Sequence, residues 1–278
     1  MGTPAGGMPE LPEVETTRRG LEPHVVGRRV SEVVVRNPNL RWPVPRGLAR
    51  RLAGEEVRAV RRRGKYLLFD IADGHLLVHL GMSGKLTLVP SGAPARKHDH
   101  VDVRFEGSKA LRLTDPRRFG AFLWVAGDAE RHALLRHLGL EPLEGAFTGE
   151  ALHERARGRK VAVKLFLMNA RIVTGVGNIY ANEALFRARV HPLRMAGRIS
   201  RQRWGEIADA VRETLQRAVE KGGTTLRDFA SAEGEPGYFL AECAVYGRDG
   251  EPCLRCKTPI RAIRQGQRST FYCPRCQR

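Results

Sequence analysis

Cys253-Leu-Arg-Cys256 and Cys273-Pro-Arg-Cys276 lie at the C-terminal end of the chain, with sixteen residues between the pairs. Thiolates in two Cys-x-x-Cys knuckles at this separation suit one zinc ion holding a β-hairpin. Four sulfur ligands fill a tetrahedral shell and leave no open position, so the expected ion is structural. A segment this short cannot bury an independent core without such a staple. It also carries Arg255, Lys257, Arg261, Arg264, Arg268, Arg275 and Arg278, a charge density that points to a nucleic-acid module. The fifth cysteine, Cys243, reads as a small buried side chain.

A second constellation is Met8-Pro9-Glu10-Leu11-Pro12-Glu13. Two readings stand side by side. One is a proline-rich start to a helix. The other needs Pro9 as the N-terminal residue, with a free secondary amine. An α-amino group has a pKa near 8, so much of it is neutral in the cell. A helix N-terminus beside it disfavours the cation further. Attack of a secondary amine on a sugar carbon gives an iminium ion directly, and Glu10 is then the adjacent acid/base. Seven residues, MGTPAGG, precede Met8. The reactive reading therefore expects translation from Met8 or removal of residues 1–8, because an internal proline nitrogen has no free amine.

These groups need elements to position them. Pro12 suits the first turn of a helix in which Val14 and Leu21 share a face and which Pro23 stops. Short strands follow: Val33 and Val35 lie in one run, 65–71 and 76–80 flank a hairpin signal at 72–75, and 85–89 follows the turn at 81–84. Val101, Val103 and Phe105 alternate, Leu111 and Leu113 come after the turn at 106–108, and 119–125 makes a further strand. This spacing predicts an antiparallel sandwich. From there the pattern is helical: 129–138, 149–157, 160–168, 179–188 after a glycine-rich turn, and a long helix from Ser200 to about Lys221. A composition shift at 139–148 marks a linker.

The charge agrees with the cysteine-rich end. Among 278 residues, 48 Lys+Arg face 30 Asp+Glu, a formal +18, and 42% of residues are hydrophobic. That apolar content builds cores, so the chain is not a disordered basic tail. A field of this sign attracts phosphates. No apolar run is long enough to span a bilayer, and no signal peptide is visible. The expected location is cytoplasmic, on the nucleoid.

Ten segments in one order carry a resemblance: MPELPEVE (8–15), RRGKYLL (62–68), HLGMSGKL (79–86), KHDHVD (97–102), TDPRRFG (114–120), TGVGNIYANE (174–183), GGTTLRDF (222–229), PGYF (236–239), VYGRDGEPC (245–253) and QRSTFYCPRCQ (267–277). From Met8 onward the chain resembles the bacterial formamidopyrimidine-DNA glycosylases, whose family includes endonuclease VIII. The resemblance implies an α+β chain: an N-terminal antiparallel β-sandwich with flanking helices (9–138), a helix–two-turn–helix domain (139–245) and a zinc-finger β-hairpin (246–278). It implies base-excision repair by a bifunctional enzyme that excises oxidised purines and cleaves abasic sites by β,δ-elimination. Leu11, GGTTLRDF and VYGRDGEPC favour the purine branch over the oxidised-pyrimidine branch. A non-catalytic damage-binding protein is the alternative from another class.

The roles carry over residue by residue. Pro9 matches the nucleophile that forms the Schiff base, Glu10 the acid/base beside it, and Glu13 a residue that tunes the site. Lys65, read in a strand, matches a general acid and phosphate contact. Arg268 matches the arginine of the final elimination. A guanidinium stays protonated, so it holds phosphate rather than giving up a proton. Met82, Arg117 and Phe119 match the residues that fill the gap when a nucleotide is flipped out. Taken singly, such a Met or Phe is an ordinary core side chain. Asn178, after Gly175-Val176-Gly177, matches a phosphate contact at a helix start, and His98, Arg159 and Lys164 match further DNA contacts. Residues 224–239 match a loop that closes over an everted purine. The ion is one structural zinc, the partner double-stranded damaged DNA, the state monomeric. Asn169-Ala170 departs from the family's more usual acidic residue followed by Gln or Asn, which bears on local packing or fine specificity.

Overall fold

The computed structural model describes residues 8–223 and 239–278. The segment expected to cover an everted purine therefore lies outside the described residues, except for Phe239. The described chain forms two compact units, one of residues 8–136 with 221–223 and one of residues 137–220 with 239–278.

The first unit opens with helix α1 (Leu11–Val25), which buries Leu11, Val14, Leu21 and Val25. Pro12 sits in its first turn as expected. Pro23 does not stop it. The helix runs two residues further, because a proline near the C-terminal end removes only one donor, and Val26 N–H still closes on the Glu22 carbonyl at 3.1 Å. Two four-stranded antiparallel sheets follow. One is ordered β1 (Val30–Val35), β6 (Asp99–Phe105), β7 (Lys109–Thr114), β5 (Lys85–Pro90). The other is ordered β2 (Ala59–Arg63), β3 (Tyr66–Ile71), β4 (Gly74–His79), β8 (Ala121–Ala126).

Two elements were not legible in the sequence. Strand β2 hides behind Arg61-Arg62-Arg63, yet Val60 is buried and the Arg61 guanidinium pairs with Asp70 across β3 at 2.6 Å. The single-turn helix α2 (Leu48–Leu52) is held by Leu48 and Leu52, four residues apart and both fully buried. Conversely, the helix expected at 129–138 is only a 3₁₀ turn at Ala129–Arg131, followed by further turns. Ala129 and Leu135 are its only buried hydrophobic side chains, and that stripe is too thin for packing to hold a helix.

The β1/β5 sheet contains an ionic cluster. Arg112 Nε and Nη2 each donate to the fully buried Asp102 at 2.8 Å, and its nitrogens also reach Asp99 Oδ2 (3.4 Å) and the carbonyls of Ala93 (2.9 Å) and Pro94 (3.0 Å). Arg36 adds a contact to Asp102 at 2.7 Å. Burial pushes the Asp102 carboxyl upward, but the hydrogen bonds from Arg112 and Arg36 outweigh it and hold the group at about 2.

In the second unit, α3 (Gly149–Ala156) is capped by Thr148 Oγ1, which accepts Ala151 N–H at 3.1 Å. Helices α4 (Val163–Leu167), α5 (Asn178–Arg187) and α6 (Arg201–Glu220) follow. Ser200 Oγ accepts Arg203 N–H at 3.3 Å, the expected cap of α6, whose buried stripe is Trp204, Ile207, Val211, Leu215 and Ala218. Helices α3 and α6 meet backbone to backbone: a Cβ on Gly149 would fall 2.4 Å from Gly205 Cα. The hairpin of β9 (Arg261–Gln265) and β10 (Arg268–Tyr272) turns through Gly266 and Gln267, both at positive φ (53° and 63°).

Replacing Arg112 with Met strands Asp102 and Asp99 with fewer donors. The expected loss is about 3 kcal/mol in urea unfolding. Asp102→Asn in the same background should recover part of it, because the charge left without its guanidinium is then gone.

Candidate active site and metal centre

The four sulfurs of Cys253, Cys256, Cys273 and Cys276 all lie within 4.8 Å of one another. Facing pairs are 4.0 Å (Cys253–Cys276) and 3.4 Å (Cys256–Cys273) apart, too far for a disulfide. A tetrahedron with Zn–S bonds of about 2.3 Å has edges of about 3.8 Å, so the residues fit the ion. These four cysteines hold one structural zinc. The Arg255 amide approaches Cys253 Sγ at 3.4 Å, and the Cys276 amide approaches Cys273 Sγ at 3.4 Å, as knuckles require. Cys253 and Cys273 pack with Phe186, Val245 and Ile260, so the centre is fused to α5 rather than hung on a tether.

Hydrogen bonds bind the hairpin to the helices. Gln277 accepts the Cys273 amide (2.8 Å) and donates to the Val190 carbonyl (2.9 Å). Glu183 on α5 accepts three consecutive amides, those of Ala244, Val245 and Tyr246, at 2.8, 3.0 and 2.8 Å. Burial raises its carboxyl above the usual range, and those three bonds work in the opposite sense. Cys243 is buried, as expected.

Two expected DNA contacts converge on β10. Lys164 is fully buried, and its ammonium donates to the Ser269 carbonyl (3.1 Å) and Thr270 Oγ1 (2.6 Å). Asn178, half-buried at the start of α5, donates to the same Ser269 carbonyl at 3.1 Å. Both side chains thus anchor the residue next to Arg268, which is itself exposed beside the hairpin turn. Arg159 is exposed just after α3. Asn169 closes a local turn, with Oδ1 accepting the Arg171 amide at 3.0 Å, which accounts for that side chain without an acid.

In the first unit, Pro9 is buried and Glu10 forms the N-cap of α1. Glu10 and Glu13 make a reciprocal capping box, in which Glu13 Oε2 accepts the Glu10 amide at 2.9 Å. Both acids are buried, at 4% and 0% exposure. A Cβ on Gly223, at φ +78°, would touch Glu13 Oε1 at 3.0 Å, so the backbone there lies against this carboxylate. Glu15, two residues on, receives Arg18, Arg19 and Arg62.

Lys65 is not in a strand. It forms, with Gly64 (φ +58°), the two-residue turn between β2 and β3, where glycine relieves the left-handed backbone. Its charge is felt by His79 on β4: burial first, then Lys65 and Arg41, push that imidazole down to about 4. His79 Nδ1 accepts the Gly81 amide at 3.0 Å and its ring packs at 4.7 Å from that of Tyr66.

The apolar and arginine side chains expected in a nucleotide gap lie on two loops. Met82 is half-buried in the loop 81–84. Phe119, 41% exposed, carries the Arg117 guanidinium 4.8 Å above its ring. With Asn39, Leu40, Arg41 and Arg118, Arg117 and Phe119 line a cavity. The loops meet through Ser83 and Asp115, which the sequence reading passed over. Half-buried His98 lends its carbonyl to the Asp115 amide at 3.0 Å.

Residues 8–122 match the formamidopyrimidine-DNA glycosylase N-terminal domain, 138–230 the H2TH domain of the same glycosylase, and 250–278 a zinc finger found in FPG and IleRS. Formamidopyrimidine-DNA glycosylases of Syntrophotalea carbinolica and Methylococcus capsulatus are each 58% identical over 271 residues, 98% of this chain and 100% of theirs. The chain belongs to the formamidopyrimidine-DNA glycosylase family. The family fold is seen in the Lactococcus lactis Fpg complex with DNA containing an abasic site (TM-score 0.89, 34% identity, 97% of this chain and 99% of that one). It is seen again in MutM (Fpg) of Thermus thermophilus (TM-score 0.86, 40% identity, 97% and 98%). The α+β class, the antiparallel sheets and the zinc hairpin read from the sequence all hold within this family.

Cys256→Ser should leave protein with little bound zinc and open residues 246–278 to protease, because the metal–thiolate bonds supply the folding free energy of the hairpin. Metal analysis beside limited proteolysis checks this.

His79 has its own pH signature. Between about 6.5 and 4 the unfolded chain takes up a proton that the folded chain refuses, so stability falls as pH drops through that window. Urea midpoints from pH 7.5 to 4.5 should fall less steeply for His79→Gln.

Proposed function

We propose that this chain acts in base-excision repair, as a glycosylase that removes oxidised purines from double-stranded DNA and a lyase that cuts the strand at the resulting abasic site by β,δ-elimination. The observation that carries the reading is the Pro9–Glu10 pair on the buried N-terminal turn of α1, inside the segment that matches the glycosylase N-terminal domain. A free proline nitrogen there lies one residue before the N-cap of a helix, whose positive end favours the neutral, nucleophilic amine. Its attack on the sugar carbon displaces the damaged base. Opening of the sugar ring then gives an iminium ion, with Glu10 moving the protons. The iminium acidifies the neighbouring C–H, because the electron pair left behind delocalises onto nitrogen, and elimination of the phosphates follows. Lys65 serves as acid and phosphate contact, and Arg268 holds phosphate in the last elimination.

DNA engagement is read on both units: His98 and the gap-filling Met82, Arg117 and Phe119 on one, Arg159 and Asn178 on the other. Lys164, fully buried, supports this by holding β10 in place. Leu11, GGTTLRDF and VYGRDGEPC support oxidised purines as the substrate class. The functional segments are 9–138, 139–245 and 246–278, acting as a monomer on the nucleoid. No helix among the described residues is long and apolar enough to cross a membrane.

Pro9 provides the decisive test. A form that begins at Pro9 should be trapped on lesion-containing DNA by borohydride, through that residue. A form verified by intact mass to retain residues 1–8 should bind DNA yet give no adduct, because an acylated nitrogen has its lone pair in amide resonance. Equal trapping by both forms would remove Pro9 as the nucleophile.

A further inference from the structure

The loops 81–84 and 115–120 are joined more tightly than neighbouring loops need to be. Asp115 is fully buried and Ser83 is 3% exposed. Ser83 Oγ donates to Asp115 Oδ1 at 3.0 Å and accepts the Arg117 amide at 3.3 Å. The other carboxylate oxygen, Oδ2, accepts the Gly120 amide at 2.9 Å. The Asp115 carbonyl is fixed as well, by the Arg118 amide at 3.2 Å and His100 Nε2 at 2.8 Å. Backbone closes the rest of the gap. A Cβ on Gly81 would lie 2.5 Å from the Phe119 carbonyl carbon, and one on Gly120 would lie 2.7 Å from the His79 carbonyl oxygen. Both glycines therefore let two backbone segments touch where any side chain would hold them apart.

We propose that Asp115, acting through Ser83, is a positioning residue that clamps the two loops into one rigid wedge and fixes Met82 relative to Arg117 and Phe119. The inference rests on the glycosylase reading above and adds to it how the gap-filling groups are held. Filling the space vacated by a flipped nucleotide needs the apolar and cationic groups at a set spacing. Loops that order only on binding lose rotamer and backbone freedom at that moment, whereas a wedge ordered in advance does not. A buried carboxylate suits the task because each oxygen accepts from a different loop, and its desolvation makes a half-broken clamp unfavourable. Asp115 touches no reacting atom in this scheme.

The test uses the full chain with its zinc and Pro9 free, in four forms beside wild type: Ser83→Ala, Asp115→Asn, Met82→Ala and the double variant Met82→Ala/Ser83→Ala. Excision is timed on a duplex with one oxidised purine, strand cleavage on a duplex with a preformed abasic site, and 2-aminopurine beside the lesion reports insertion of the wedge. Ser83→Ala and Asp115→Asn should slow excision on the order of 10–100-fold, in step with a delayed fluorescence change. Cleavage at the abasic site, where no base is extruded, should slow far less. The double variant should be no slower than Met82→Ala, because the clamp acts through the wedge. Ser83→Ala removes one uncharged oxygen and carries the test alone if Asp115→Asn does not fold, as judged by thermal melting. Equal losses on both substrates, additive losses in the double variant, or unchanged excision in Ser83→Ala would overturn the clamp. If Met82→Ala itself excises at the wild-type rate, the wedge assignment fails and the clamp with it. If Met82→Ala is slow while Ser83→Ala and Asp115→Asn are not, the clamp alone is wrong.

Discussion

Asp115 accepts from two loops at once, and Glu183 accepts from three consecutive amides ahead of the zinc hairpin. Glu13 closes the first turn of α1 on Glu10, and Asp102 neutralises Arg112 inside a sheet. The same interaction recurs at each place where the chain must be held still: a buried carboxylate with its oxygens taken up by N–H and O–H groups. A buried acid is costly unless it is satisfied in this way, so each one enforces the geometry around it. The chain is short of acids, with 30 against 48 basic residues, and several of them are placed inside. That arrangement leaves the surface rich in cations while the interior absorbs negative charge. A protein that must attract a polyanion without losing its own shape gains on both counts.

The zinc centre does for the hairpin what these acids do for the loops. Four sulfurs within 4.8 Å draw the segments 253–256 and 273–276 together, and the packing of Cys253 and Cys273 against Phe186 joins the metal to α5. Residues 261–272 then have one place to go. Lys164 and Asn178 complete the placement by meeting at the Ser269 carbonyl, so the backbone beside Arg268 is held from two helices. An exposed arginine on a short hairpin would otherwise sample many positions. Here its flexibility is confined to its own side chain.

The first-unit loops show how groups on loops are held in place without a large core. Gly81 and Gly120 bring two backbones into contact, His79 stays neutral and caps the Gly81 amide, and Arg117 covers the face of Phe119. Each contact is modest by itself. Together they set the spacing of groups that lie on loops, where backbone freedom is otherwise greatest.

Much was legible in the sequence, for reasons that are local. Cys-x-x-Cys spacing names its metal because knuckle geometry needs only two intervening residues. Most strands of the sheets declared themselves by β-rich runs between turn signals, β6 also by its alternation, and Ser200 by its capping chemistry. The ten matched segments carried the family and with it the residues to look at. What the sequence could not display was anything decided by a partner distant in the chain. Strand β2 exists because its backbone pairs with β3 and Arg61 finds Asp70 there, and 129–138 fails as a helix because only Ala129 and Leu135 are buried along it. Lys164 looks like any surface lysine until its ammonium is found on Thr270, more than a hundred residues away, and Lys65 became a turn residue only when β2 and β3 paired. Asp115 sat unnoticed in TDPRRFG, a motif that reads as positive, until Ser83 was brought to it. Identity and chemistry are properties of residue types at short spacing, which the sequence determines by itself. Burial, and the pairing that burial demands of a charge, belong to the tertiary structure, because only the folded chain decides which groups lose water together.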